Sequence, residues 1–313
     1  MPSLRDLGAA WSARPSVCSR LVWAFILALD RLPWPWGEEI LARCFVARAF
    51  VRTARLRQAL AWASSQPGTE RARRRLARSL CSHHGRFVAR WALVGMREPE
   101  RLRCHVVVRG EEHLAAAGRG RILVGFQLGP RGSDLALRVA GHDVTWVGDR
   151  GASGAWSRAI RQRYQTGRED LFLPGAEQAW VRRLYRARRM LLEGQTVFIN
   201  AEGRGREAFS VPLPGGRVLI QSGWLTLRRT TKATVLPVLS HMEGRSQVVT
   251  VHPALPPPVA DPVLDLDACR EAFGGLLADY VRRFPEQCYS LAFRAQVDGT
   301  SLSCRRDASR QGS

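Results

Sequence analysis

The sequence is short of acid, nearly without lysine, and without an apolar run long enough to cross a bilayer. It carries 27 acidic residues against 48 basic ones, a formal net charge of +21. Lys232 is the one lysine, so 47 of the basic residues are arginines. A surface of that sign attracts nucleic acid, anionic lipid headgroups or phosphorylated substrates. The cysteines (Cys18, Cys44, Cys81, Cys104, Cys269, Cys288 and Cys304) are odd in number, and no two stand at C-x-x-C spacing. That argues against a disulfide framework or a zinc ribbon and for reduced thiols in a cytoplasmic chain, with no metal expected. No stretch reaches the roughly 18 apolar residues of a spanning helix. The nearest, Leu21–Leu29, stops at Asp30 without an A-x-A-like cleavage site after it. The remaining composition, 45% hydrophobic and 24% charged over 313 residues, is that of a folded chain with a sizeable core.

Trp23, Trp34 and Trp36 lie within and just after the apolar run, and tryptophan favours the membrane interface. Residues 15–60 therefore read as helices lying on or partly in a membrane. QPGT at 66–69 is a breaker, with Thr69 as N-cap of a helix running to Met96. Leu76, Leu80, Phe87 and Trp91 share one face of that helix, and arginines fill much of the rest.

After Pro99 the period changes. Short β-branched runs at Val106–Val108, Ile122–Phe126, Val144–Val147, Thr196–Ile199, Thr234–Leu239 and Val248–Val251 read as strands. Helical patterns intervene at Leu135–Ala140, Trp156–Tyr164, Glu177–Leu192 and Val218–Arg228, and another follows at Cys269–Arg283. Alternation of this kind predicts an α/β fold, a central largely parallel sheet flanked by helices, here with an N-terminal helical membrane-associating region. Ligands of such sheets gather beyond the carboxyl ends of the strands. Two of those ends combine glycine, arginine and a carboxylate: Gln127–Asp134 (QLGPRGSD) and Asn200–Arg206 (NAEGRGR). If Ile122–Phe126 and Thr196–Ile199 are parallel neighbours, Gln127 and Asp134 lie near Glu202 at the mouth of a groove. Arg131, Arg150, Arg204 and Arg206 are the cations placed to pair bidentately with phosphate.

The order of these segments resembles the bacterial lipid A late acyltransferases, within the lysophospholipid acyltransferase superfamily. The resemblance runs from roughly Leu21 to Phe293 through RLPW, SLCSHHGRFVARW, VVVRGEEHLAAAGRGRILVGFQLGP, TVFINAEGRGREAFSVPLPGG, ATVLPV and FPEQCYSLAFR. It implies a membrane-associating helical region over 1–100 and an α/β acyltransferase-like domain over 101–296, while the small polar residues of 297–313 read as a disordered tail. It further implies acyl-ACP or acyl-CoA as co-substrate, with no other cofactor, and a phosphorylated lipid as acceptor. Anionic membrane lipid at the cytoplasmic face of the bacterial inner membrane is the implied partner.

The resemblance breaks at the chemistry. The family places a general-base histidine, and after four intervening residues an acidic residue, directly after the strand that matches Ile122–Phe126. Here those positions are Gln127 and Gly132. A glutamine amide can hydrogen-bond but has no useful basicity. Asp134, two residues on, is the substitute candidate, and Glu202 stands where the family has an acidic residue. The family's terminal tryptophan/histidine/arginine segment is Ser290–Arg294 here. The histidines that could replace the missing base are His83, His84, His105, His113, His142, His241 and His252. Two expectations stand: a membrane-associated acyltransferase acting on a glycolipid or phospholipid hydroxyl, or a catalytically impaired relative that binds lipid or acyl carrier for a partner enzyme. Nucleic-acid binding comes last, because no helix-turn-helix, RNP or zinc-finger pattern accompanies the charge.

Overall fold

The computed structural model describes residues 28–29, 32, 34–51, 53–94, 102–118, 120–148, 177–202 and 208–293. Most of the Leu21–Leu29 run, the Trp156–Tyr164 segment, Arg150, Arg204, Arg206 and the tail from Val297 lie outside those residues.

Three helices come first: α1 (Trp34–Val51), α2 (Thr53–Ser64) and α3 (Glu70–Val94). Thr69 caps α3 by accepting a hydrogen bond from the Ala72 amide at 3.3 Å, and Glu70 complements the helix dipole in the first turn. Leu80 and Phe87 are buried, as their shared face requires. In the region expected to lie on a membrane, Leu41, Ala42, Ala59 and Trp62 are buried, whereas Trp36 is 65% exposed. No helix among the described residues is long and apolar enough to cross a membrane.

The strands are β1 (Val106–Arg109), β2 (Arg121–Gly125), β3 (Thr145–Val147), β4 (Thr196–Asn200), β7 (Thr234–Glu243) and β8 (Ser246–Val251). They form one sheet in the order β1-β8-β7-β2-β4-β3. Every pairing in it is parallel except the β7–β8 hairpin. A separate antiparallel hairpin, β5 (Ala208–Leu213) and β6 (Gly216–Gln221), stands beside it.

The central strands are apolar throughout because both sheet faces are covered. Side chains alternate across the sheet. Ile122, Val124, Val197 and Ile199 therefore join one core, with Ala59 and Trp62 of α2, Leu80 of α3, Trp224 of α7 (Gly223–Thr231) and Phe273 of α8 (Pro262–Arg283). Leu123 and Phe198 join the other, with Leu114 of α4 (Glu111–Ala116) and Leu137 of α5 (Ser133–Val139). Helix α6 (Glu177–Leu192) and the short α9 (Tyr289–Phe293) complete the described elements, with one 3-10 turn at Pro285–Gln287.

One expected helix is corrected. Val218–Gln221 belongs to β6, where Val218 pairs with Val211, and α7 begins only at Gly223. The alternating burial of Val218 and Ile220 is the period of a strand, and the turn at Gly215, with φ of 80°, folds it back on β5. Among the described residues Cys44, Cys81, Cys104, Cys269 and Cys288 form no disulfide.

Candidate functional site

β2 and β4 are parallel neighbours in register, Gly125 opposite Asn200, so the turns that leave them emerge on the same sheet edge. There the Gln127 amide N–H donates to Glu202 Oε1 at 2.5 Å. Glu202 is half-buried and is held by a bridge to Ile220 of β6. Gln127 and Glu202, the residues expected to converge, are therefore in contact.

The Gln127–Gly132 turn is tied down from distant parts of the chain. Ser240 on β7 donates to Pro130 O at 2.6 Å and accepts from Ser133 Oγ at 3.1 Å. The Tyr280 hydroxyl donates to Ser240 O at 2.7 Å, and the Tyr289 hydroxyl donates to Gly129 O. Gly129 is packed so closely that a Cβ would come within 2.1 Å of Tyr280 Oη and 2.4 Å of Ser240 O. Gly132 has φ of 82°, a left-handed backbone that favours glycine. The backbone at Gly132 thus suits no glutamate.

Asp134 does not take over that place. It lies in the first turn of α5 and is 1% exposed. A narrow crevice, about 40 Å³ in cavity volume and open to solvent along one side, runs past it, lined by Gly132, Leu135 and Ala136 and not by Asp134 itself. The remaining walls are chiefly Phe87, Leu102, Val106 and Val139, with Arg90, Arg131, His105 and Gln247 as the polar contributors. An apolar slot entered past a guanidinium suits a ligand with a hydrocarbon tail and an anionic head. Arg131 is exposed, its guanidinium 5.9 Å from the Phe87 ring centre.

Of the seven histidines, His84 of α3 packs on Tyr289, the side chain that fastens this turn. Its ring meets Tyr289 edge-on at 5.4 Å and Phe293 at 4.9 Å, and Arg55 of α2 donates to its Nδ1 at 3.1 Å. Guanidinium has only donors, so Nδ1 must be the unprotonated nitrogen and Nε2 carries the hydrogen. Burial, then the Arg55 and Arg131 charges, hold this imidazole down at about 4. His84 is accordingly a neutral donor at physiological pH and not a ready base. Sequence periodicity placed it only on a basic helix; its place against Tyr289 and Phe293 depends on where α9 docks. His142 is paired with Glu111 at 2.9 Å beyond the far end of α5, and His241 stacks on Phe284 at 4.0 Å. Among the described residues no three His, Cys, Asp or Glu side chains cluster as a metal site would.

His252 is likewise held down at about 4, by burial and then by His113 and Arg283. Both imidazoles bind protons more readily in the unfolded chain, at about 6.5. Their contribution to stability is therefore complete above about pH 6.5 and is lost as the pH falls towards about 4. Urea unfolding followed across that window is expected to give a falling midpoint, and a His84→Gln, His252→Gln chain a flatter profile.

The chain thus has an α/β fold with a largely parallel sheet and an amphiphilic crevice at one sheet edge. No protein-family model matches it, and no curated protein does. Among solved structures, the 1-acyl-sn-glycerophosphate acyltransferase PlsC of Thermotoga maritima is similar over 78% of this chain and 97% of its own. The identity is 16% and the TM-score 0.36, a likeness that carries no assignment.

Proposed function

We propose that the chain is an acyltransferase of the lysophospholipid type, moving a fatty acyl group from acyl-ACP or acyl-CoA to a hydroxyl of a phosphorylated lipid. The observation that carries this reading is the mostly apolar crevice lined by Arg131 and Gly132, the far end of the turn whose first residue, Gln127, contacts Glu202. The resemblance of the motif order supports it, and the lipid A branch is the finer assignment within it.

In the reaction the acceptor oxygen bonds to the thioester carbonyl carbon, the carbon–sulfur bond breaks and the thiolate takes a proton. We assign the acceptor's proton to Glu202, the half-buried carboxylate at the sheet edge, and give the Gln127 amide a positioning role. Arg131 is assigned to the headgroup phosphate. Net positive charge and the N-terminal tryptophans support attachment to anionic lipid at the cytoplasmic face of the inner membrane.

A second reading, a lipid- or carrier-binding protein without catalysis, is favoured by one observation: the substitute carboxylate Asp134 is buried and does not line the crevice. The experiment that decides is transfer of labelled acyl groups from either thioester to lysophosphatidate by the purified full chain on anionic vesicles. Flotation with those vesicles is scored in the same tubes. Transfer above a heat-inactivated control is the expected result. Retained lipid binding without transfer from either donor would establish the second reading, and failure to float would remove the membrane assignment.

A further inference from the structure

Three nitrogen donors from three separate elements meet on one aromatic wall beside the Gln127–Gly132 turn. Arg55 comes from α2, His84 from α3 and Arg131 from the turn itself. The wall is Phe87 stacked on Tyr289 at 4.9 Å, with Phe293 next to His84. The Arg55 guanidinium stands 5.8 Å from the Phe293 ring centre and that of Arg131 5.9 Å from Phe87. Many of the protein's other arginines meet carboxylates: Arg43 with Glu39, Arg74 with Glu70, Arg109 with Glu243. Arg55 instead meets an imidazole and a phenyl ring.

The Arg55 contact also fixes what His84 offers. With Nδ1 occupied as an acceptor, Nε2–H is its remaining polar group, a donor like its two neighbours. Both guanidiniums act electrostatically on His84 and both oppose its protonation. Positive potential that a histidine resists is potential that an anion would relieve. A phosphate monoester carries close to two negative charges near pH 7 and three acceptor oxygens, which match two guanidiniums and one N–H.

We propose that Arg55, His84 and Arg131 bind the phosphate monoester of an amphiphile whose acyl chain enters the adjoining crevice. Phe87 and Arg131 belong both to the wall and to the crevice lining, so head and tail fit within one molecule. This rests on the crevice being the lipid site proposed above, and it gives His84 a donor's role in place of a base's.

The test is calorimetric titration of the full-length protein near neutral pH with three probes. They are a short-chain lysophosphatidate, the matching monoacylglycerol, and glycerol phosphate. Lysophosphatidate is expected to bind about tenfold or more tightly than monoacylglycerol. Arg55→Gln and His84→Phe are each expected to weaken lysophosphatidate by about tenfold and leave monoacylglycerol unchanged. His84→Gln, which restores an N–H close to the Nε2 position, is expected to recover most of the loss. Arg55 is exposed and His84→Phe keeps the ring stacking, so both variants retain the fold, checked by circular dichroism.

Unchanged preference for the phosphorylated lipid in both variants would overturn the phosphate site. Equal binding of lysophosphatidate and monoacylglycerol by the wild type would overturn it too, while leaving the crevice as a lipid site. Binding of neither lipid would remove both proposals. Glycerol phosphate binding as tightly as lysophosphatidate would overturn the lipid assignment and make a soluble phosphate monoester the ligand of the same residues.

Discussion

Replacing Asp265 by alanine is expected to lower the unfolding free energy by about 3–5 kcal/mol, the usual consequence of stranding a buried charge. Asp265 sits in the first turn of α8, 1% exposed, with Arg228 at 3.3 Å and Arg229 at 3.0 Å. The Arg228 side chain is 3% exposed and is further held by Cys269 Sγ at 2.7 Å and by the Pro256 carbonyl. Guanidinium stays charged at any accessible pH, so removing the carboxylate leaves a cation inside the core. Urea denaturation of wild type and variant measures the difference. A companion pair, Arg228→Met with Asp265→Leu, removes both charges and is expected to recover most of the stability. A loss below about 1 kcal/mol in the single variant would mean that Arg228 finds water by itself.

Replacing Glu202 by alanine is expected to reduce acyl transfer by about 100-fold or more, the range of a lost general base. The same change removes the acceptor of the Gln127 amide hydrogen, so a loss alone does not separate chemistry from geometry. Glu202→Gln does separate them. Its amide oxygen still accepts from Gln127 N–H, but it takes up no proton at neutral pH. Equal losses in the two variants assign proton transfer to Glu202; near-normal rates in Glu202→Gln make it a positioning residue. Lipid affinity, read by the same calorimetry, is expected to be unchanged in both.

Much of this site could be read before any coordinates. Ile122–Phe126 and Thr196–Ile199 are continuous apolar runs closed by polar, glycine-bearing turns, and parallel pairing then puts those turns on one edge. Asp134 was the misleading residue. Successive helical residues are rotated by about 100°, so a shift of two positions from Gly132 carries a carboxylate to a different side of α5. There it is enclosed and does not face the crevice. Nothing local marks Tyr280, Tyr289 or Ser240, or singles out His84 among the seven histidines. The bonds of Tyr280, Tyr289 and Ser240 around the turn join residues far apart in the chain, and hydrogen bonds of that span depend on how whole elements dock. The β5–β6 hairpin was missed for a different reason: the apolar residues from Val218 onward fit a helix and a strand about equally well over so short a stretch.

The Tyr289–Gly129 hydrogen bond spans 160 residues. Loop closure over that distance comes late in any folding sequence, after the local helices and the neighbouring strand pairs. On the ribosome, the Gln127 turn is made well before the helix that fastens it. The aromatic wall thus acquires its shape only once residues 289–293 have emerged and docked. A nascent chain at a membrane surface would present arginine-rich helices first and a competent binding site last. Under the proposed membrane attachment, surface docking precedes ligand recognition during the protein's own synthesis.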